Sequence, residues 1–175
     1  MERKGTATPY ILHPLEAAAI VGTMTDDQEI IAAAMLHDVI EDASVAVEQL
    51  QQIFGERIAA LVAAETENKR ENLPAADTWQ VRKEEAIGAL CDADLPVKMI
   101  ALADKLSNIR AIYRDYHQIG DRLWDRFNQK DKAKHGWYYQ SVVDATKELA
   151  AYPAWQEYDC LVRDIFGQSE LNIKK

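Results

Sequence analysis

Membrane spans and secretion signals are the first features that this sequence lacks. No stretch approaches the ~20 uncharged apolar residues that a transmembrane helix needs. The first ten residues, MERKGTATPY, contain no apolar run of the kind found in signal peptides. We therefore expect a cytoplasmic protein that does not cross a membrane. In that reducing setting, Cys91 and Cys160 are expected to be free thiols packed in or near helices.

Positive charge, glycine and proline are also scarce. Lys and Arg total 20 against 29 Asp and Glu, so the formal net charge is -9. A field of that sign repels a long anionic polymer, and we expect no nucleic acid partner. A small polyanion can still bind where basic side chains and a metal ion are concentrated. With 7 glycines, 5 prolines and no internal repeat, the 175 residues fit one helical domain spanning 1–175.

What the sequence does contain is a succession of helical patterns joined by turns, which predicts an all-α, compact multi-helix bundle. Thr25 and Gln28 have the spacing of a capping box for a helix that carries IIAAAML. Asp94 is predicted to cap a long helix that ends at Gly120.

The remaining turn signals divide the rest of the chain. Gly55 predicts a break between two helices, and residues 68–77 are predicted to form a loop. Helical spacing extends over 121–152, with Gly136 as the candidate interruption, and Pro153 precedes a last helix. Five aromatic residues are expected to be core residues more often than contacts to a base or a dimer surface: Trp124, Phe127, Trp137, Tyr138 and Tyr139.

The stretch HDVIED, residues 37–42, gives the strongest indication of function. His37 and Glu41 lie four residues apart, as do Asp38 and Asp42, so each pair would be neighbours on a continuing helix. The run IIAAAML before them belongs in a core, where a carboxylate without a partner costs several kcal/mol. A bound cation would supply that partner.

Two further segments offer ligands of the same kind. Asp104 falls among apolar neighbours in MIALADKL, with Asn108 one turn later, and His13 stands in PYILHP just before a helix. Together with His37 and Asp38 they form a mixed nitrogen and oxygen set. Such a set suits one divalent ion of Mn, Fe, Co or Zn better than Mg or Ca.

Each of these residues also has an ordinary structural explanation. An isolated His-Asp dipeptide is usually a surface or capping pair, and His13 alone could be a hydrogen-bonded loop histidine. Asp104 could be neutralised by Lys105, and Glu41 with Asp42 could form a solvated helix end. Their combination favours a metal site, because a chain rarely places acids within two apolar helices, or at their ends, without something to neutralise them.

Three segments make a more specific resemblance. RKGTATPYILHP, AAMLHDVIED and ALADKLSNIR, within residues 3–110, resemble the hydrolase domain of the Rel/Spo family and its small stand-alone alarmone hydrolases. That family belongs to the HD-domain superfamily of metal-dependent phosphohydrolases. The resemblance continues more loosely through DRLWDRFNQKDKAKHGWYY. It implies an HD-domain bundle with the metal site in its core, and an enzyme that hydrolyses the 3′-pyrophosphate of guanosine tetra- or pentaphosphate.

The resemblance also implies roles for individual residues. One Mn ion would have four ligands: His13, His37, Asp38 and Asp104. An acidic pair would position and activate the attacking water: Glu41 and Asp42. Arg3 and Lys4 would lie beside the guanine base, and Lys105 would lie near the phosphates. Asn108 would contact the nucleoside.

Two departures from the family bear on the substrate. Relatives have an additional N-terminal helix before the RKG motif, so here either the start is lost or one wall of the pocket is lacking. The loop ETENKRENLP resembles the substrate-side loop of the family only loosely. An HD phosphatase acting on another nucleotide or phosphorylated metabolite, a non-catalytic metal or nucleotide sensor, and a purely structural helical protein therefore stay open. Intact Glu41 and Asp42 favour an enzyme over a sensor, and no oligomeric state is predicted.

Overall fold

The computed structural model describes residues 1–3, 5–43, 45–67, 70 and 72–167. These residues form nine α-helices: α1 (Leu12–Val21), α2 (Gln28–Leu36), α3 (Val39–Ala43), α4 (Val47–Phe54), α5 (Glu56–Glu65), α6 (Ala75–Asp92), α7 (Leu95–Ile119), α8 (Lys132–Ala145) and α9 (Pro153–Phe166). Two 3-10 helices complete the described chain: Gly120–Arg126 and Lys147–Leu149. The all-α prediction is confirmed, and no helix among the described residues is long and apolar enough to cross a membrane.

Helix α7 is the element around which the others pack, since it contacts α1, α2, α5, α6 and α9. Its middle is apolar on nearly every side, and Ile100, Leu102 and Leu106 have no exposed surface. A helix that is apolar all round belongs at the centre of a protein. As predicted, Asp94 occupies the N-cap position and Gly120, with φ of 61°, ends the helix. The Asp94 side chain itself makes no capping hydrogen bond.

The predicted start of α2 was wrong by two residues. The helix is capped by Asp27, whose carboxylate accepts a hydrogen bond from the Glu29 N–H at 3.0 Å. The hydroxyl of Thr25 instead accepts from the Asp27 N–H at 3.2 Å, outside the helix. Both residue types are good N-caps, and the one next to the first helical residue forms the cap here.

Two other predicted boundaries also change. Helix α6 begins at Ala75, within the segment predicted as a loop, because Pro74 has the φ of -58° that suits a helix start. The predicted helix over 121–152 begins instead as the 3-10 helix Gly120–Arg126, and α8 starts only at Lys132. The break predicted at Gly55 is confirmed, since its φ of 93° disfavours any residue with a side chain.

Gly136 does not interrupt α8, contrary to the prediction. It lies inside that helix, where an added Cβ would approach the Phe166 side chain to 3.2 Å. The glycine therefore lets α8 and α9 approach closely rather than ending a helix. Of the five aromatic residues predicted as core, Trp124, Tyr138 and Tyr139 are buried and Phe127 is partly buried against the core, whereas Trp137 is 39% exposed.

The cysteines confirm one part of their prediction and correct another. Cys91 and Cys160 are free thiols, on α6 and α9. Both are exposed rather than packed in the core, so neither contributes to the burial that holds the helices together.

The central role of α7 predicts the effect of truncating its side chains. Leu102→Ala should lower the free energy of unfolding by about 2–5 kcal/mol, because it leaves a cavity where the wild-type side chain is fully buried. Leu95→Ala, in the same helix but 44% exposed, should change it by no more than about 0.5 kcal/mol. Urea unfolding of both variants would measure the difference, and equal losses would contradict the central placement of Leu102.

Candidate active site

Three helical segments bring the four predicted metal ligands to one point in the core. His13 lies in the first turn of α1, His37 and Asp38 follow α2, and Asp104 lies in the middle of α7. The His13 Nε2 is 3.1 Å from Asp104 Oδ1, and the His37 Nε2 is 3.1 Å from Asp38 Oδ2. The two Nε2 atoms are 3.3 Å apart. His13, His37 and Asp104 thus each place one ligand atom within 4.8 Å of the other two, and Asp38 adjoins this group through its contact with His37.

Both imidazoles direct their Nε2 atoms towards this point. The His37 Nδ1 is 2.7 Å from the Ala34 carbonyl oxygen, which can only accept, so Nδ1 carries the proton. The His13 Nδ1 is 2.8 Å from the Ser107 hydroxyl, which donates its own proton to Glu16. The His13 Nδ1 must therefore be protonated as well. Two Nε2 atoms that face each other at this distance repel unless a proton or a metal ion lies between them.

The carboxylates of Asp38 and Asp104 stabilise a positive charge at this point. Burial lowers the pKa of His37, but its hydrogen bonds to Asp104 and Asp38 outweigh this and raise the pKa to about 11. Burial raises the pKa of Asp104, but Lys105 and the two histidines hold it well below its usual value. A cation bound by nitrogen and oxygen at ~2.0–2.2 Å has neighbouring ligand atoms roughly 3.0–3.5 Å apart. The observed separations of 3.1–3.7 Å fit such an ion.

The sequence pattern also predicts that α2 ends near His37 and Asp38, and this is confirmed. Helix α2 ends at Leu36 and α3 begins at Val39, with the Asp38 carbonyl accepting the first helical hydrogen bond of α3 from the Asp42 N–H at 2.8 Å. Between the two helices the chain makes a turn at His37 and Asp38. It allows His37 and Asp38 to reach the same point, which two adjacent residues of one straight helix would not.

Asp42 and Glu41 contact different neighbours. Asp42 lies beside Tyr10, whose hydroxyl donates to Asp38 Oδ2. Burial, reinforced by the Asp38 and Asp42 carboxylates, raises the pKa of Tyr10, so the phenol stays a neutral donor. The Glu41 Oε1 instead accepts from the Glu67 N–H at 2.7 Å, across the connection between α5 and α6. Asp42 is thus next to Asp38, a predicted metal ligand, and Glu41 holds the adjoining loop.

A cavity of about 350 Å³ adjoins the metal centre. It is lined by Tyr10, Lys105 and Asn108, each of which contacts Asp38 or Asp104. Five basic side chains line it against the one acid Asp115, counting only the described residues: Arg3, Lys83, Lys105, Arg114 and Arg126. Lys83, Lys105 and Arg126 form ion pairs with acids, but in a protein with a formal charge of -9 this concentration of basic side chains suits a phosphorylated ligand.

Three of the four predicted substrate residues line this cavity. The Arg3 Nη2 donates to Asn108 Oδ1 at 2.7 Å, and the Asn108 Nδ2 donates to Asp104 Oδ1 at 2.6 Å. Lys105 forms an ion pair with the other oxygen of Asp104. The fourth, Lys4, lies outside the described residues. The sequence analysis missed Lys83, Arg114 and Arg126, whose local sequences do not distinguish them from surface residues.

Glu65 is another residue that sequence reasoning missed. It is the last residue of α5 and stands four residues after the buried Leu61 and three after the buried Val62, so it belongs to the core-facing side of that helix. Burial raises its pKa to about 8, with Lys105 opposing and Asp104 adding to the shift. The same periodicity that selected Asp104 would have found it.

The family of this chain can now be stated. A family model described as the HD domain matches residues 1–131, and the chain belongs to that family. The Danio rerio guanosine-3′,5′-bis(diphosphate) 3′-pyrophosphohydrolase MESH1 is 39% identical over 110 residues, which are 61% of this chain and 57% of that protein. A probable enzyme of the same activity from Synechocystis is 32% identical over 111 residues, or 63% of this chain. This chain spans only 15% of the length of that cyanobacterial relative.

Two solved structures share the fold. A 1.85 Å crystal structure of the Listeria monocytogenes protein lmo0812 has a TM-score of 0.79 and 29% identity, covering 89% of this chain and 99% of that one. A second, titled as a metazoan ortholog of SpoT that hydrolyzes ppGpp, has a TM-score of 0.71 and 26% identity, covering 93% and 85%. The predicted HD-domain bundle is confirmed.

The raised pKa of Glu65 predicts how stability depends on pH. In metal-free protein, the unfolded chain releases this proton near the ordinary value of 4.5, whereas the folded protein keeps it until about 8. Stability contributed by this group therefore falls between those values and is constant above them. Glu65→Gln should remove the loss and raise Tm at pH 9 but not at pH 4.5, by about 2–4 °C for each kcal/mol recovered.

The matched control is Glu84→Gln, which removes the same charge from an exposed position on α6. Thermal unfolding in the presence of a chelator, at both pH values, gives the comparison. A Glu65→Gln gain that is the same at pH 4.5 and pH 9, or a gain matched by Glu84→Gln, would contradict the argument.

Proposed function

We propose that this protein is a metal-dependent phosphohydrolase that removes the 3′-pyrophosphate of guanosine tetra- or pentaphosphate. The proposal rests on one observation: two side chains belong both to the proposed metal centre and to the wall of the basic cavity. Lys105 and Asn108 line the cavity and at the same time contact the metal ligand Asp104. A phosphate bound by the basic side chains would therefore lie next to the ion.

The relatives support the substrate class. The zebrafish and Synechocystis relatives are named as guanosine-3′,5′-bis(diphosphate) 3′-pyrophosphohydrolases. The segments that resemble that family include every proposed metal ligand. The cavity also has aromatic walls, formed by Trp79, Phe127, Tyr138 and Tyr139, against which a nucleobase could stack. That residues 1–175 form one domain and that the protein is cytoplasmic stay predictions.

The metal set would hold one divalent ion, and we propose Mn²⁺. The proposed ligands are His13, His37, Asp38 and Asp104. When bound, such an ion lowers the pKa of a coordinated water and stabilises charge on a phosphoryl oxygen.

The side chains around the centre divide the remaining tasks. Asp42 lies beside the Tyr10–Asp38 contact, where its carboxylate can accept a proton from an attacking water. Glu41 supports this arrangement by holding the Glu67 backbone at 2.7 Å. Lys105 is placed to neutralise phosphate charge, and Arg3 with Asn108 is placed to orient the nucleoside end.

Purified protein supplied with Mn²⁺ should release pyrophosphate from guanosine tetraphosphate. Asp104→Ala should abolish that release because it removes a ligand oxygen, whereas Asp144→Ala, on the exposed face of α8, should leave the rate unchanged. Pyrophosphate release and metal content would be measured for the three proteins. Greater activity on nucleoside monophosphates than on the alarmone would favour the alternative of an HD phosphatase with another substrate.

Asp42→Asn distinguishes an enzyme from a sensor. If Asp42 accepts the water's proton, the variant should lose about 10²–10⁴-fold in kcat while it keeps Mn²⁺ and nucleotide binding, because Asp42 is not among the proposed ligands. Steady-state kinetics and calorimetric titration with a non-hydrolysable analogue would test both parts. A wild-type protein that binds the nucleotide tightly and leaves it intact would establish the sensor instead.

A further inference from the structure

A chain of hydrogen bonds leads from His13 away from the metal centre to the surface. The His13 Nδ1 contacts the Ser107 hydroxyl at 2.8 Å, and that hydroxyl donates to Glu16 Oε2 at 2.7 Å. The other Glu16 oxygen accepts from Arg110 Nη1 at 2.9 Å. Arg110 in turn donates to both oxygens of Glu157, at 2.6 Å each. Three helices, α1, α7 and α9, supply the members of this chain.

The direction of each hydrogen bond follows from the charge of Glu16. Burial raises the pKa of Glu16, but the hydrogen bonds from Ser107 and Arg110 outweigh it and hold the pKa below its usual value. Glu16 is therefore a carboxylate and can only accept. Ser107 has one proton and gives it to Glu16, so its oxygen must accept the proton of His13 Nδ1.

The inner part of this chain is closed to water. His13 is 2% exposed and Ser107 is 0% exposed, so no solvent molecule can replace either partner. Glu16 and Arg110 are each about a third exposed, at 31% and 32% of their side-chain surface. A negative charge near the surface is thus connected to a buried imidazole by one hydroxyl group.

Among the residues that the structure describes, none connects the second histidine to a charged group through its Nδ1. The His37 Nδ1 donates to the Ala34 carbonyl of its own helix at 2.7 Å, and that acceptor is neutral. Acceptors that hydrogen-bond the outer N–H of a ligating histidine fix its tautomer, and charged ones increase its basicity. The two imidazoles of the metal centre are therefore inequivalent.

We propose that Glu16, acting through Ser107, is a positioning residue that fixes His13 in its Nδ1–H tautomer and strengthens Nε2 as a metal ligand. This inference rests on the proposed metal set. Arg110 holds the Glu16 carboxylate in place, and Glu157 pairs with Arg110 on its outer side; neither acts on the metal ligand.

The test is Mn²⁺ affinity, measured by calorimetry on the full-length chain. Glu16→Gln and Ser107→Ala should each weaken Mn²⁺ binding by about 10-fold to 100-fold, the usual cost of losing a partner of a ligating histidine. Because Glu16 acts through Ser107, the double variant should bind no more weakly than Ser107→Ala alone. In ¹⁵N–¹H spectra of the histidine rings, His13 should show a proton on Nδ1 that exchanges slowly with water, and Ser107→Ala should remove that protection.

Two controls separate this effect from charge and stability. Glu29→Gln removes the same charge from an exposed pair with Arg57 and should leave Mn²⁺ affinity unchanged. Glu157→Gln breaks the outer ion pair and should lower Tm without changing Mn²⁺ affinity.

Three outcomes would overturn the inference. Unchanged affinity in Glu16→Gln would show that the carboxylate does not influence His13. An equal loss from Glu16→Gln with and without Ser107 would show that the charge acts through space. Absence of Mn²⁺ binding by the wild-type protein would reject both the proposed metal ligands and the role of Glu16. Normal wild-type binding with unaffected variants would reject the role of Glu16 alone.

Discussion

The Asp104 carboxylate lies in the buried middle of the central helix α7, and the site is built around the neutralisation of that charge. An ionised acid in a protein interior costs several kcal/mol unless it is paired and hydrogen-bonded. Lys105 and Asn108 contact Asp104 from its own helix, and His13 from α1. The apolar contacts that α1 and α2 make with α7 therefore also have to place two imidazoles correctly. The packing of these helices and the geometry of the site therefore cannot change independently.

Charge is distributed unevenly in a way that serves a small anionic ligand. The chain is acidic as a whole, with a formal charge of -9, yet the cavity beside the metal centre has five basic side chains and one acid among its described lining residues. A long polyanion would meet the overall field, whereas a compact phosphorylated molecule would meet mainly the cavity. Charge also differs between the two histidines of the site. His13 is connected through Ser107 to the Glu16 carboxylate, whereas the Nδ1 of His37 donates to a neutral carbonyl.

The sequence predicted those parts of the site in which a single helix places an unusual residue. Asp104 could be found because it stands at helical spacing among apolar neighbours, and Glu65 was missed although the same test selects it. The geometry of HDVIED could not be found this way, since the turn at His37 depends on how α2 and α3 pack. Arg114 and Arg126 reach the cavity from different elements. Helix periodicity does not predict which side chains from different elements line the same cavity, because that depends on the tertiary structure.

Chemistry and specificity are carried by different parts of this fold. The proposed metal ligands lie on or next to the packed helices α1, α2 and α7, so they are as fixed as the core itself. The basic cavity is completed by the N-terminal segment and the first 3-10 helix, where Gly5, with φ of 73°, lies directly against Arg126. A Cβ at that position would come within 2.6 Å of the arginine side chain, so the glycine allows this segment to bring Arg3 to the same cavity. Changes in such peripheral segments can alter which phosphorylated molecule is bound while the metal centre keeps its geometry.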